Sequence, residues 1–538
     1  MLKYYFIAVL LAATLLTGAF LVQSQALTPS QAHHSVVIYG GSFAGAAAAY
    51  QAATHLPPEK DVLIIVSESA LGSIGTVGGQ NFFDIRNWRG EFPTRGSFAR
   101  WFDAFGQGYN TEAMADLLYQ DAVAKHNGKV QVLFNHEIEK VHLSRGKSRI
   151  TGLTVRPVER NQETLTVQWV GESLRISGDI FVDASDTARL ARLAEVPLSP
   201  GRADWAAGAQ KQAATVMLQV TGIDPQTANA YRNPETDKPE FFYFKDSDDS
   251  LLGWGGKDFT QYDPVVRAYN SAGHRFTLKG YNIAEQTPGK WWLNILLIHE
   301  VNGMMQELDR GTSRWPVAEL TDPGQWSADE AYRFALAELE KPYLLESLQG
   351  LERPRLLEAL QRFPGFENLE FVRGRDGRPV VGEVLYLRET VHALQEDGSF
   401  ALPAQAVRHA GDLPADGADA RLYNTRVGLG LYYVDINAYR KGDPVQTLET
   451  PDNPHYIPYA ALTTAAVENL LLPGYAQSTS SEAWASMRVI PNLTVCGDAA
   501  GVAAAYCSAN NKSPATLTIE DVREIQKRLE AAGTRLDK

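Results

Sequence analysis

Cysteine is scarce in this chain of 538 residues, which contains only Cys496 and Cys507. Two cysteines cannot ligate an iron–sulfur cluster or form a disulfide framework, and no CxxC pair exists that would relay electrons as a dithiol. Free cysteines are usually buried, so the sequence predicts two structural thiols. We predict no metal site.

Positive charge is also in short supply, because 50 Lys and Arg residues face 63 Asp and Glu residues and give a net charge of −13. A negative balance of this size argues against a nucleic-acid partner and against docking on anionic lipid. Hydrophobic residues make up 44% and charged residues 21%, which is ordinary for a soluble globular protein. The length predicts about two or three domains.

Long hydrophobic runs are missing beyond residue 22, but one is present at the N-terminus. Lys3 precedes the uncharged residues 4–22, and the Ser24-Gln25-Ala26 sequence then offers a signal-peptidase site. We predict that residues 1–26 are a signal peptide of the general secretion route and that the protein is exported, either periplasmic or extracellular. An uncleaved membrane tether is the alternative, because about nineteen apolar or small residues can span a bilayer.

A strand–helix–strand unit is predicted directly after the export segment. Residues 35–39 are apolar and β-branched, as in a buried parallel strand, and residues 62–66 repeat that pattern. Between them lie a glycine-rich turn at residues 40–45 and an alanine-rich helix at residues 46–54. This βαβ context is the one in which a glycine fingerprint indicates dinucleotide binding.

The fingerprint turn supplies five predicted cofactor contacts: Gly40, Gly41, Ser42, Ala44 and Gly45. Gly40 allows the tight turn, Gly45 lets the helix pack close to the strand, and the helix N-terminus directs its free N–H groups at a pyrophosphate. Ser42 departs from the pattern, since glycine usually stands there, but its hydroxyl is a possible hydrogen-bond donor. The alternative is a strand–turn–helix that binds no nucleotide.

An acidic residue after the second strand would bind the ribose hydroxyls of a dinucleotide. Glu68 is the candidate, although an ungapped comparison places Val66 at the usual position. The alternative for Glu68 is a solvated loop carboxylate, as most glutamates are.

A second glycine-rich loop follows at residues 72–81. So many glycines in a short run are costly inside a helix or strand, whereas they suit a loop that approaches a flat ring or phosphates closely. We predict cofactor contacts at Gly72, Thr76, Gly78 and Gly79.

Residues 493–496 near the C-terminus are predicted to form a short buried strand, with an alanine-rich helix opening at Gly497. Gly497, Asp498 and Gly501 are predicted cofactor residues, because Asp498 would bind sugar-chain hydroxyls while the helix N-terminus faces phosphate. Asp498 is alternatively only a helix N-cap.

These motifs, taken together, resemble one family. Seven segments carry the resemblance, in the family's order: residues 36–45, 71–79, 178–186, 387–390, 456–462, 467–471 and 486–501. They resemble the FAD-dependent oxidoreductase family, within the glutathione-reductase-like flavoproteins with two dinucleotide-binding domains. The resemblance implies FAD as the cofactor. It covers roughly residues 34–525.

Further site residues are implied by the resemblance. Residues 181–186 would form a strand and turn beside the FAD diphosphate, with Asp183 as a cofactor residue, and residues 474–488 would lie along the flavin. The family often has an arginine and a histidine in the latter segment, where this chain has Tyr475 and Ser481. No histidine lies in the loop after the second strand, so the flavin is expected to be non-covalent.

The predicted fold class is α/β. It consists of a Rossmann-like FAD-binding domain, a parallel sheet with an inserted β-meander, plus a mixed α+β substrate or cap domain. The FAD domain is predicted to be discontinuous, at residues 33–203 and 453–538, and the cap at residues 204–452. A cap strand is predicted at residues 213–220, a helix at residues 328–340 and a C-terminal surface helix at residues 518–532.

Three charged residues are candidates for catalysis: Arg388, Glu482 and Arg488. Arg388 could bind a substrate carboxylate through two hydrogen bonds. The alternative is a structural Arg388–Glu389 pair, which is the commoner use of such neighbours.

The sequence thus predicts an FAD-dependent dehydrogenase or oxidase that transfers hydride between a small organic substrate and a non-covalent FAD. Oxygen, a quinone or a protein would accept the electrons, and no second fingerprint indicates NAD(P)H. The alternatives are a flavin-bearing electron-transfer component of an envelope complex and a non-catalytic member of the fold.

Overall fold

The computed structural model describes residues 32–245, 251–340, 355–443 and 449–538. The predicted export segment, residues 1–26, lies outside the described residues. Within the described ranges, no helix is both long enough and apolar enough to cross a membrane.

The helices are distributed along the whole described chain. They are α1 Phe43–His55, α2 Ser97–Phe105, α3 Thr111–Ala122, α4 Arg189–Leu193, α5 Pro225–Ala230, α6 Phe259–Tyr262, α7 Pro264–Ser271, α8 Ala328–Glu340, α9 Leu356–Leu360, α10 Ala404–Arg408, α11 Ser481–Met487, α12 Ile490–Asn510 and α13 Ile519–Ala531.

The strands are short outside the first 183 residues. They are β1 Ala32–Tyr39, β2 Val62–Ile65, β3 Val130–Leu133, β4 His136–Leu143, β5 Ile150–Arg160, β6 Val167–Trp169, β7 Leu174–Asp183, β8 Leu198–Pro200, β9 Ala214–Thr215, β10 Leu218–Thr221, β11 Phe241–Lys245, β12 Leu251–Gly255, β13 Phe276–Leu278, β14 Tyr281–Thr287, β15 Lys290–Leu293, β16 Leu296–Ile298, β17 Val301–Asn302, β18 Trp326–Ser327, β19 Glu370–Phe371, β20 Val391–Ala393, β21 Arg426–Gly430, β22 His455–Pro458 and β23 Leu470–Leu471.

The largest sheet confirms the predicted Rossmann-like α/β class. Its order is β3-β2-β1-β7-β5-β4, in which β3, β2, β1 and β7 are parallel and β5 pairs antiparallel with its neighbours. The side chains of β1 from residues 36–39 are fully buried or nearly so, because α1 and α12 cover one face of the strand and a cluster that includes residues of β4, β5 and α4 covers the other. The antiparallel strands β4 to β6 form the meander that the sequence places before β7.

The middle of the chain builds a second, antiparallel sheet of order β11-β12-β14-β15-β10-β19. The predicted strand at residues 213–220 is split there: β9 joins a small sheet with β16 and β13, whereas β10 joins the large antiparallel sheet. Val216 and Met217 between them are also fully buried, so the apolar pattern gives no sign of the break. The predicted helix at residues 328–340 is α8.

Short strand pairs cross both predicted domain boundaries. β8 pairs with β20, and β21 pairs with β22. The cap and the FAD-binding parts are therefore joined by hydrogen-bonded backbone and not only by linkers.

The predicted strand at residues 493–496 is wrong, because those residues lie inside α12. The helix begins at Ile490 with Pro491 in its first turn and ends at Asn511, which adopts the left-handed conformation. A short apolar run cannot be assigned to strand or helix by periodicity alone. Cys496 and Cys507 both lie in this helix as free, buried thiols.

Candidate active site

The fingerprint turn connects β1 to α1, and two of its glycines are required by close backbone contacts. Gly40 has a φ of +102°, and a Cβ there would lie 2.6 Å from the Ser185 backbone nitrogen at the end of β7. A Cβ on Gly45 would lie 2.0 Å from the Gly40 carbonyl oxygen. The turn is therefore pressed against both α1 and the β7 terminus.

Ser42 is the N-cap of α1 and its hydroxyl is used within the protein. Its Oγ accepts a hydrogen bond from the Gly45 N–H at 3.3 Å and donates one to the Ala184 carbonyl at 2.7 Å. The hydroxyl thus fixes the turn to the loop after β7. The first N–H groups of α1, on Phe43 and Ala44, have no partner within the helix and are available to an anion.

The second glycine-rich loop packs directly on the first. The Gly72 N–H donates to the Gly41 carbonyl at 2.6 Å, and Thr76 Oγ1 donates to the Leu71 carbonyl at 2.6 Å. Thr76 therefore closes its own loop. A Cβ on Gly79 would lie 2.6 Å from the Trp292 ring of β15. The lack of a side chain at Gly79 therefore lets the second, antiparallel sheet, which we call the cap sheet, approach this loop closely. A Cβ on Gly78 would lie 2.5 Å from the Ile74 Cα.

Two carboxylates meet beside these loops. Glu68 follows β2, and Ser73 Oγ lies 3.4 Å from its Oε1 and 3.1 Å from Asp186 Oδ2. Glu68 Oε2 is buried and has no hydrogen-bond partner among the described residues. Burial, together with the negative charge of Asp186, raises the pKa of Glu68 to about 8. Burial raises the pKa of Asp186 to about 6.

Asp183 stabilises the turn after β7. Its carboxylate accepts hydrogen bonds from the Ser185 N–H and hydroxyl and from the Ala191 N–H in α4. Burial raises its pKa to about 6. The Asp183 carboxylate thus has hydrogen-bond partners within the protein and does not line the cavity at the fingerprint. Asp186, three residues later, does line that cavity.

Gly497, Asp498 and Gly501 lie in the interior of α12 and not at a helix N-terminus, which corrects the predicted geometry. A Cβ on Gly497 would lie 2.2 Å from the Ala44 carbonyl oxygen, and one on Gly501 would lie 2.3 Å from that of Ala48. These glycines allow α12 to cross α1 closely.

Asp498 is neither an N-cap nor directed at a phosphate. Its carboxylate accepts hydrogen bonds from the Ser97 N–H and hydroxyl at the start of α2 and from the Gln51 side chain of α1. It therefore joins three helices behind the fingerprint.

Two cavities share one wall. The smaller lies at the fingerprint and is lined by Ser42, Phe43, Ala44, Gly72, Ile74, Gln80, Asp186, Tyr386, Tyr475, Arg488, Ile490 and Leu493. The larger, about 670 Å³, opens beneath the cap sheet. Tyr386 and Arg488 line both cavities. We call this pair the dividing wall.

Arg488 is held in the dividing wall by specific hydrogen bonds. Its Nη1 donates to the Tyr386 hydroxyl oxygen at 2.5 Å, and its Nη2 donates to Asp435 Oδ2 at 2.7 Å. Its Nε is buried and has no partner among the described residues. Burial raises the pKa of Tyr386, so that its hydroxyl stays protonated at neutral pH.

Arg388 lines the larger cavity and does not pair with Glu389. Its Nη1 donates to the Ala213 carbonyl at 2.6 Å, and its guanidinium lies 4.7 Å from the Tyr386 ring centre. Glu389 instead accepts hydrogen bonds from Ser481 and His392. The structural Arg–Glu pair considered as the alternative is therefore wrong.

Glu482 lines neither of these two cavities, and its catalytic role stays a prediction. It stands in the first turn of α11, where acidic residues are favoured, and it pairs with Arg408 at 3.0 Å. Arg488 lies between α11 and α12, and therefore between two helices and not between strands.

Sequence reasoning missed Tyr386, Lys279 and Asp435, which all line the larger cavity. Their neighbours in sequence form no recognisable motif. The only available signal was the position of Tyr386 directly before residues 387–390, a segment that resembles the family.

A parallel sheet with a glycine fingerprint, an acidic residue after β2 and a cavity behind the fingerprint defines a dinucleotide-dependent oxidoreductase fold. The family described as FAD dependent oxidoreductase matches residues 35–529. The chain belongs to that family, and its cofactor is FAD.

Solved structures of FAD enzymes resemble the chain only distantly. A geranylgeranyl bacteriochlorophyll reductase-like protein from Thermoplasma acidophilum has 10% identity over 94% of this chain and 85% of its own, with a TM-score of 0.38. Glycerol-3-phosphate dehydrogenase from Bacillus halodurans, complexed with FAD, has 10% identity over 50% of this chain and 48% of its own, with a TM-score of 0.25. No curated protein matches the chain.

Proposed function

We propose that the protein holds one non-covalent FAD along the fingerprint and transfers hydride between the flavin and a small organic substrate in the larger cavity. The observation that carries this proposal is the dividing wall, because Tyr386 and Arg488 line the cofactor-side and substrate-side cavities at once. A substrate in the larger cavity would be next to the flavin end of the cofactor.

The residues at the fingerprint fit FAD. The α1 N-terminus would bind the pyrophosphate, and the unpartnered Glu68 Oε2 would accept hydrogen bonds from ribose hydroxyls. Asp186 lines the same cavity and would bind a further hydroxyl of the cofactor. We also propose that the chain belongs to the glutathione-reductase-like branch, which the meander before β7 supports.

Bound FAD would supply the acceptor for the hydride of a substrate C–H bond, and the proton on the neighbouring substrate oxygen or nitrogen would pass to solvent. The protein positions that substrate. Because Arg488 donates to the Tyr386 oxygen, the Tyr386 proton is left to donate to a substrate oxygen. The cap sheet covers the reacting atoms and limits the access of water.

The reduced flavin would pass its two electrons to oxygen, a quinone or a protein carrier. We propose export through residues 1–26, on the uncharged run that follows Lys3. The large cavity favours an enzyme over a purely electron-transferring subunit, because a subunit that reacts only with a protein partner needs no cavity for a small substrate.

The absorption spectrum of the purified chain tests the proposal. We expect flavin bands equivalent to about one FAD per chain, released into solution on heat denaturation because no covalent bond is present. Glu482→Gln should also retain the flavin, because Glu482 lines neither cavity. A colourless protein that takes up no added FAD would contradict the proposal.

Anaerobic mixing with candidate substrates then separates the enzyme from an electron-transfer subunit. Bleaching of the flavin by a small molecule supports hydride transfer, whereas bleaching by a reduced protein carrier alone supports the subunit. Oxygen consumption after bleaching would distinguish an oxidase from a dehydrogenase.

A further inference from the structure

The larger cavity contains two cationic side chains that form no ion pair among the described residues. Arg388 is only 2% exposed, Lys279 is half-buried, and both line the cavity. Among the described residues, neither of them forms an ion pair with Asp or Glu. Burying a cation is costly unless an anion accompanies it, and the cavity is lined by four Lys and Arg side chains but only three Asp side chains, so it favours an anionic ligand.

The two cations converge on one segment. The Lys279 N–H donates to the Ile295 carbonyl at 3.1 Å, and its Nζ lies 3.1 Å from the Asn282 amide oxygen once that amide is oriented to suit its neighbours. Asn294 Oδ1 lies 3.5 Å from Arg388 Nη2. The backbone of Lys279 and the side chain of Arg388 thus adjoin the same turn between β15 and β16, and the two side chains are close enough for the charge of Arg388 to act on Lys279. We call these two side chains the cationic floor.

The acidic residues of the cavity accept hydrogen bonds from groups other than the cationic floor. Asp435 accepts from Arg488, and Asp443 accepts the N–H groups of Tyr439 and Arg440. Asp84 accepts from Gln80 Nε2 at 3.3 Å. The charges of Asp435 and Asp84 act on Lys279 without forming an ion pair with it.

One part of the remaining wall is apolar. Leu252, Leu278 and Leu297 are buried and line the cavity, and Trp254, which is 46% exposed, stands at its mouth. A ligand that fills this cavity thus meets hydrocarbon and an aromatic ring along its length and positive charge at the floor.

We propose that the cationic floor binds the carboxylate of an organic acid whose apolar body extends past Leu252 and Leu278 toward Trp254. Arg388 would bind two carboxylate oxygens through its planar donors, and Lys279 would add a point charge. This inference rests on the proposed function, because it names the substrate class of the same cavity.

Calorimetric titration of the purified flavoprotein with benzoate tests the site, with benzamide as the uncharged probe of the same shape. We expect benzoate to bind and benzamide to bind at least about tenfold more weakly, because a hydrogen bond to a charged group contributes about 1.5–3 kcal/mol. Arg388→Met and Lys279→Met should each weaken benzoate binding about tenfold, and Arg388→Lys should weaken it less.

Arg408→Met is the matched control, because this arginine pairs with Glu482 outside the cavity. It should leave benzoate affinity unchanged. Equal affinities for benzoate and benzamide, or wild-type affinity in both floor variants, would overturn the inference. Tighter binding of phenyl phosphate than of benzoate would overturn the carboxylate assignment.

Folding and flavin content separate the possible failures. If Arg388→Met does not fold because it loses the bond to Ala213, Lys279→Met and Arg388→Lys decide the question. A yellow protein that does not discriminate benzoate from benzamide overturns this inference and leaves the proposed function standing. A colourless protein contradicts the proposed function, and its benzoate titration still tests the cationic floor.

Discussion

Single residues at the fingerprint combine a binding role with a cost in stability. Glu68 is buried beside Asp186 and Glu383, with one carboxylate oxygen unpartnered, and its pKa is raised to about 8. Between 4.5 and about 8 the folded state therefore holds a proton that the unfolded chain has released. Stability falls as the pH rises through this range, because the unfolded state binds fewer protons.

Replacing Glu68 with glutamine should separate these two effects. Glu68→Gln removes the charge that burial penalises, so the flavin-free variant should melt at a higher temperature than wild type, and the difference should grow from about pH 5 to about pH 8. FAD affinity should fall about tenfold at about pH 8, where Glu68 ionises, because the ribose loses a charged acceptor. Thermal melts and FAD titrations at both pH values measure the melting temperature and the FAD affinity of the two proteins. An unchanged FAD affinity would exclude Glu68 as the ribose ligand.

Lys279 should make anion binding depend on pH. Burial, reinforced by the positive charge of Arg388, lowers its pKa to about 7, whereas Asp435 and Asp84 oppose that shift and Arg488 adds to it. Benzoate affinity should fall as the pH rises through about 7, because Lys279 loses its charge. His299, which also lines the cavity, has a pKa lowered to about 4 by burial and stays neutral over this range.

Lys279→Met should abolish the pH step in benzoate affinity. Ionisation of Asp84, whose pKa burial raises, would produce a step of the same sign, so a step that survives in the variant assigns it to Asp84 and contradicts the prediction. Titrations of both proteins across the range give the comparison.

Among the secondary-structure elements, the crossing of α1 and α12 decides where the fingerprint lies. Gly497 and Gly501 bring α12 against the backbone of Ala44 and Ala48, and Asp498 fixes the same helices to α2. The first turn of α1 contains the N–H groups that would bind the pyrophosphate. A shift at this crossing would therefore be transmitted to the cofactor.

Gly501→Ala tests this coupling. The added Cβ would lie 2.3 Å from the Ala48 carbonyl oxygen, so α12 must move, at a cost of about 1–3 kcal/mol. We expect lower stability in urea and a lower flavin content. Gly273→Ala is the matched control, because nothing lies within 4 Å of its Cβ, and it should change stability by less than about 0.5 kcal/mol. Equal effects of the two substitutions would contradict the packing role.

For the molecule as a whole, a buried ion network joins the parallel sheet to the middle of the chain. Arg189 of α4 makes two hydrogen bonds to Asp309 and lies 3.2 Å from Glu137 of β4, which accepts the hydroxyl of Tyr39 in β1. Burial opposes ionisation of Asp309, but the hydrogen bonds and charge of Arg189 outweigh it and lower the pKa of this carboxyl.

Arg189→Met should destabilise the whole protein by about 3–5 kcal/mol, because it leaves Asp309 and Glu137 buried without their cation. Urea unfolding measures the loss. Arg310→Met, which breaks exposed pairs with Glu307 and Glu330 nearby, should cost less than about 1 kcal/mol. The wild-type protein should also lose the Asp309 contribution as the pH falls below 3.8, since this carboxyl has a lowered pKa.

The sequence predicted the elements whose pattern is local. The strand at residues 35–39, the turn at Gly40 and the helix that follows are specified by neighbouring residues, and the structure has them in that order. Prediction failed where apolar residues are buried on all sides: residues 493–496 belong to a helix, and residues 213–220 are divided between two sheets. Burial on every side removes the periodicity that distinguishes strand from helix.

The tertiary structure alone decided which charged residues share a cavity. Arg388, Glu482 and Arg488 look equivalent in the sequence, yet only the two arginines line the larger cavity, together with Lys279. The sequence by itself determined the α/β class, the fingerprint and the FAD family, because strand, turn and helix signals act over a few residues. The contents of the cavity depend on contacts between segments more than a hundred residues apart, and those contacts are fixed only when the cap sheet packs on the parallel sheet.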